Sequence, residues 1–91
     1  MSSGKDYLTY RQLHYWERVQ SDYDLFIAIV GKQAADEWLE KNRPLHLALE
    51  KLWHKKGFTT YGQYEDWEKE HIDERNQFLE KEGVWDLWLN G

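Results

Sequence analysis

The sequence predicts an all-α fold, a compact four-helix bundle or array with a short aromatic C-terminal tail, and three observations carry that expectation. Apolar residues recur with a period close to 3.6, helix start and stop signals bracket each segment, and no run alternates with the period of two that a half-buried strand needs. The domain is expected to span residues 1–91, with 1–6 a frayed polar leader and 84–91 the tail.

The first helix is expected from about Tyr10 to Gln20. Thr9-Tyr10-Arg11-Gln12 has the form of a capping box, and Leu13, Trp16 and Val19 then share one side. Ser21-Asp22-Tyr23-Asp24 has the form of a second start, with acidic residues where the helix dipole favours them. The second helix would run from about Asp22 to Lys41. Phe26, Val30, Ala34 and Trp38 recur every four residues, joined by Ile27 and Leu39, with Gly31 inside at a cost of roughly 1 kcal/mol against Ala.

Asn42-Arg43-Pro44 marks a break, because proline suits a first helical position and the residue before it avoids helical geometry. The third helix, about Pro44 to Lys56, presents Leu45, Leu49, Leu52 and Trp53, and Gly57 closes it. Thr60-Tyr61-Gly62-Gln63 opens the fourth, which is expected to run to Lys81 with Tyr61, Tyr64, Trp67, His71, Ile72, Phe78 and Leu79 on its buried side. Gly83 ends it, and Val84 to Leu89 follow as the tail.

Ninety-one residues bury one modest core. The chain is very polar, with a mean hydropathy of −0.94. Six Trp, six Tyr and three Phe compensate, each worth roughly 150–250 Å² of apolar surface when buried. With no cysteine, disulfides, thiolate metal ligands and cysteine nucleophiles are excluded, and a cytoplasmic location is the expectation. The longest apolar run, Leu25 to Val30, is far below the roughly 20 residues of a membrane helix, and the leader lacks a signal peptide's apolar stretch.

The net charge of −5 is localised. Residues 65–82 carry eight acidic side chains against three basic ones, and the remainder is neutral. That argues against direct nucleic-acid binding, which requires clustered Lys and Arg; the group Lys51, His54, Lys55 and Lys56 is too small to reverse it. Catalysis is not expected either. Ser2, Ser3 and Ser21 lie at a terminus or a cap, and the glycines form no phosphate loop.

Two surfaces are expected to bind. Tyr7, Tyr10, Tyr15, Tyr23, Trp85 and Trp88 fall at helix starts or termini, beyond what the core demands, and Trp and Tyr are enriched at binding hot spots. Trp85 and Trp88 in the tail, with Tyr7 and Tyr10, are expected to contact a protein partner, although such residues equally staple loops onto a bundle. The second surface is acidic, formed by Glu65, Asp66, Glu70, Asp73 and Glu74, and would suit a basic partner. Small acidic inhibitors from phages and mobile elements work in this style, by occluding a partner's surface.

The expected function is therefore a small non-enzymatic binding domain, an inhibitor or adaptor of that kind, with no cofactor and with homo-oligomerisation open to it. Two alternatives stand beside it. One is a metal-binding bundle. Glu68-Lys69-Glu70-His71 places a carboxylate and an imidazole on one helix face, the spacing of ferritin-like di-iron sites, with Glu50 and His54 as further ligands. A second Glu-x-x-His pair is missing, and His71 equally fits a partly buried core position. The other alternative is an oligomer sequestering a small anionic ligand through Lys, Arg and Tyr side chains.

Overall fold

The computed structural model describes residues 8–90, and Tyr7 and the leader lie outside them. Every element among the described residues is helical. They are α1 (residues 8–11), α2 (Tyr15–Val30), α3 (Lys32–Lys41), α4 (Arg43–Lys56), α5 (Tyr61–Glu70), α6 (Ile72–Lys81) and α7 (Trp85–Asn90). The all-α expectation holds and the count of four helices does not. No helix among the described residues is long and apolar enough to cross a membrane.

Three unforeseen breaks and one missing break turn the four expected helices into six, and the tail, helical as α7, makes the seventh. The first expected helix is interrupted at residues 12–14, where the Leu13 carbonyl accepts from the Tyr61 N–H at 2.9 Å. α2 then starts afresh at Tyr15, with the Glu17 carboxylate capping the His14 N–H at 2.8 Å. Ser21 and Asp22 start nothing. The helix continues through them because Arg18–Asp22 and Gln20–Asp24 are i,i+4 pairs along it, at 3.1 and 2.9 Å.

Gly31 is a break and not an interior residue. Its φ of +90° and ψ of 163° end α2, and its carbonyl accepts the Ala35 N–H that opens α3. That backbone region is essentially confined to glycine. α3 folds back along α2, so that Phe26 and Trp38 lie with ring centroids 4.5 Å apart. His71, at φ −136° and ψ 38°, likewise separates α5 from α6.

The core is centred on α4, which buries Leu45, Ala48, Leu49, Leu52 and Trp53 against Tyr15 and Val19 of α2, Tyr64 of α5 and Leu79 of α6. Leu52 and Leu79 are fully buried, each contributing roughly 1.5–3 kcal/mol of transfer free energy. Trp53 stacks on Tyr64 at 5.5 Å and meets Tyr15 edge to face at 5.0 Å. α4 and α6 close as the sequence predicts, at Gly57 and Gly83. In each case the residue after the glycine bonds back to the last turn, Phe58 to Trp53 and Val84 to Leu79. The principal extents, 34 × 29 × 18 Å, leave room for two layers of helices at a spacing of roughly 8–10 Å.

Candidate binding surfaces

The tail is part of the fold. Val84 is only 5% exposed and belongs to the core, while Trp85, Leu87 and Trp88 are half-buried against it. α7 is thus a docked helix, with the Arg75 guanidinium 4.3 Å from the Trp88 ring centroid. Tyr10 is engaged as well: its hydroxyl donates to Asp22 at 2.9 Å and its ring meets Tyr61 edge to face at 4.8 Å. Burial pushes that hydroxyl well above the ordinary tyrosine range. Tyr7 lies outside the described residues.

Cations bridge much of the acidic surface. Arg11 donates to Glu65 at 2.7 Å, to Asp66 at 2.9 Å and to the Gly62 carbonyl at 3.3 Å, joining α1 to α5. Lys56 of α4 pairs with Glu74, which lowers the pKa of that carboxyl. Lys51 reaches Glu82 at 3.0 Å. Of the five acidic residues expected to face a partner, Glu70 and Asp73 remain exposed with no ion pair among the described residues.

The four candidate metal ligands are not brought together. Glu68 accepts from Tyr64 at 2.7 Å and pairs with Arg75. His71 is exposed, not partly buried. Its ring stacks on Trp67 at 5.1 Å and its Nδ1 donates to the Trp67 carbonyl at 2.9 Å. Glu50 accepts from the Trp16 indole, and His54 is exposed in the last turn of α4. Among the described residues no group of three or more His, Asp or Glu is placed to hold a metal ion.

Two other features stand out. The first is the end of the α2–α3 hairpin, where Leu25 is 60% exposed, Ile29 69% and Val30 49%. Phe26 and Trp38 back this face; Tyr23 of α2 bonds Asp36 of α3 across the hairpin, and Lys32 pairs with the same carboxylate within α3. Beside Leu25 and Ile29 lies a hollow of about 140 Å³, bounded also by Asp22 and Phe26. The signal was present in the sequence: a helix with one buried stripe cannot bury all six residues of Leu25 to Val30.

The second is a buried polar cluster. Arg18 Nε, Asn42 Oδ1 and His46 Nε2 are closed to solvent and have no hydrogen-bond partner among the described residues. All three residues line one cleft of about 310 Å³, together with Asp22, Trp38 and Trp88. Burial, then the Arg18 charge, lowers the His46 pKa to about 4, so its ring is neutral. Arg18 itself is balanced by Asp22 at 3.1 Å.

The chain matches no protein-family model, no curated protein and no solved structure.

Proposed function

We propose that the chain is a non-enzymatic protein-binding domain whose partner is a second copy of itself, joined through the α2–α3 hairpin. The observation that carries this reading is the cluster of Leu25, Ile29 and Val30, three large aliphatic side chains, each close to half exposed or more, on one helix end. Contiguous exposed apolar surface of this kind marks an interaction site.

Three arguments favour a second copy. Leu25 and Ile29 form an i,i+4 ridge, and the hollow they border with Asp22 and Phe26 adjoins that ridge on the same helix. A two-fold contact inserts the ridge of each copy into the hollow of the other, the self-complementarity an isologous dimer requires. The contact residues from Leu25 to Val30 carry no charge, whereas the excess of −5 belongs to residues 65–82, so copies meeting here bring together their least charged segment. The hairpin is also braced internally by Asp36 with Lys32 and Tyr23, so little ordering is required on contact. The acidic helix gives weaker support, because Arg11 and Lys56 already engage Glu65, Asp66 and Glu74.

Sedimentation velocity across 2–200 µM, a range of roughly two decades chosen to span typical weak-dimer affinities, tests the reading. A concentration-dependent dimer is expected, with Ile29→Glu and Leu25→Lys monomeric throughout and unchanged in helicity. Burial of such a side chain is worth roughly 1.5–3 kcal/mol, and a two-fold contact loses it twice, so each variant weakens association about a hundredfold or more. A wild-type chain that stays monomeric at every concentration overturns the proposal.

A further inference from the structure

We propose that Gly31 is an exchange hinge, through which two copies of the chain trade their α1–α2 segments once α2 and α3 join into one straight helix. The exchange rests on the self-association proposed above only for the meeting of two copies, at the same end of the hairpin.

The break at Gly31 is weakly built. α2 ends with no basic residue in its last turn, and α3 begins with no acidic residue in its first turn and no side-chain cap. Lys32 even sets a positive charge at a helix start, where the dipole opposes it. Elsewhere such ends are provided for: His54, Lys55 and Lys56 precede Gly57 at the close of α4, and Asp73 and Glu74 open α6. At Gly31 the backbone alone turns the chain, at a φ of +90° that glycine adopts freely. A Cβ there would meet nothing within 4 Å, so no packing pins the hinge.

A straight helix suits the same residues. The Gly31 N–H already bonds the Ile27 carbonyl at 3.0 Å, and the Gly31 carbonyl accepts the Ala35 N–H at 3.1 Å, both in the i to i−4 pattern of an α-helix. Turning Gly31 to helical φ and ψ brings the N–H groups of residues 32–34 onto the carbonyls of residues 28–30. Phe26, Val30, Ala34 and Trp38 then share one face across the joint, since their spacing of four runs through it unbroken. In the closed hairpin that stripe is only half used, because Val30 and Ala34 are exposed.

Straightening cannot be completed within one copy. A single helix from Tyr15 to Lys41 would measure about 40 Å at roughly 1.5 Å per residue, against a longest extent of 34 Å for the folded chain. It strips Trp38 from Phe26 and parts Tyr15 and Val19 from the core they share with Leu45, Leu49 and Leu52. A second straightened copy offers those same faces, so every contact between α1–α2 and the rest is remade between chains, twice over. The crossing of the two helices is gained in addition. Leu25, Ile29 and Val30, exposed in the closed chain, lie beside that crossing, and the bare glycines let the two backbones approach.

The test takes the wild-type chain to its urea midpoint at about 1 mM, refolds it, dilutes it to about 2 µM and separates it by size exclusion. Equal amounts of ¹³C-labelled and unlabelled chain enter the refolding. Isotope-filtered NOEs between the Phe26 and Trp38 rings, 4.5 Å apart, then report whether that pair lies within a chain or between two. The expected result is a dimer that survives dilution for hours, because parting it requires unfolding, and that shows the NOEs between chains. Gly31→Ala burdens the closed form of both chains and sits at ease in the straight helix, so it favours the exchanged dimer about a thousandfold. Should that variant fold poorly, inserting Gly-Ser-Gly after Gly31 frees hairpin closure from one residue and lowers the trapped dimer at least tenfold. The proposal is overturned if no dimer survives dilution from either the wild type or Gly31→Ala, or if the surviving dimer keeps the NOEs within each chain. A dimer that forms and parts with concentration alone, its NOEs within the chain, keeps the hairpin contact and overturns the exchange. A trapped, exchanged dimer from a chain otherwise monomeric at every concentration supports the exchange and overturns the hairpin contact.

Discussion

The Trp88 ring lies 4.3 Å from the Arg75 guanidinium carbon, and the same guanidinium pairs with Glu68. One α6 side chain thereby ties α7 to α5, and the Arg75 side chain is only 11% exposed, which strengthens both contacts. Trp88→Ala is expected to destabilise the domain by about 2–3 kcal/mol, just under the roughly 3–5 kcal/mol for losing a fully buried large aromatic, because the ring is half-buried. Trp88→Phe keeps most of that stability. Urea denaturation followed by circular dichroism checks both. Removal of residues 84–91 is expected to lose the cooperative transition, since Val84 goes with them; a truncated chain that melts as sharply as the full one would show the tail to be dispensable.

The elements that depend on local chemistry were legible in the sequence. The glycine closures at 57 and 83, the Asn42-Arg43-Pro44 break and the apolar stripe of α4 all follow from propensity and spacing. What could not be read is where tertiary contacts outvote that chemistry. Ser21 and Asp22 carry start signals, yet Asp22 serves better as the shared partner of Arg18 and Tyr10. Gly31 fits a weakened helix as well as a reversal, and only the meeting of Phe26 with Trp38 decides between them. The tail looked surplus because nothing in its own sequence reveals the Arg75 guanidinium against which it docks. The buried cluster is invisible for the same reason: Arg18 stands on α2, Asn42 caps α4 and His46 lies within it, and no local spacing joins them to Arg18.

Gly31 yields a prediction in which sterics and backbone separate cleanly. A Cβ placed there meets no atom within 4 Å, so Gly31→Ala carries no clash. The cost is the backbone conformation alone, about 1–3 kcal/mol for holding alanine at a φ of +90°. Unfolding free energies of the wild type and variant measure it. A variant as stable as the wild type would mean that α2 and α3 had rearranged, most simply by joining into one straight helix.

Gly62 is the converse case. It is helical, so alanine should favour α5 by roughly 1 kcal/mol. A Cβ at this position would lie 3.0 Å from Arg11 Nε and Nη2 and 3.2 Å from the Arg11 carbonyl oxygen. The side chain can give way, but the carbonyl moves only with α1. Gly62→Ala is therefore expected to destabilise by about 1–2 kcal/mol despite its better propensity, through loss of the part-buried Arg11 bonds to Glu65 and the Gly62 carbonyl. A cycle with Arg11→Ala is diagnostic: in that background the part of the penalty owed to the Arg11 side chain disappears and only the contact with the backbone carbonyl at position 11 remains, so the cost of Gly62→Ala falls, whereas an unchanged penalty would place the conflict at that carbonyl.

His46 sets a pH dependence whose sign can be worked through. In the unfolded chain its imidazole takes a proton near pH 6.5, and in the fold only near pH 4, because burial and the Arg18 charge oppose it. Above pH 6.5 the ring is neutral in both states and costs nothing. Between 6.5 and 4 the unfolded state binds a proton that the folded state refuses, so stability falls as pH falls through that window. Below 4 the folded ring protonates too and the loss levels off. Allowing for solvent screening at the cleft mouth, the loss amounts to roughly 1–2 kcal/mol. Carboxylates titrate near the lower end of the window, so the measurement is a difference: urea midpoints of the wild type and His46→Gln at pH 7.5, 6.0 and 5.0, steps chosen to bracket roughly the ordinary histidine pKa. Glutamine keeps a partner for Tyr15 and does not titrate. The wild type is expected to lose its advantage over the variant as the pH drops, and a gap that stays constant across the three would show that His46 is free to protonate within the fold.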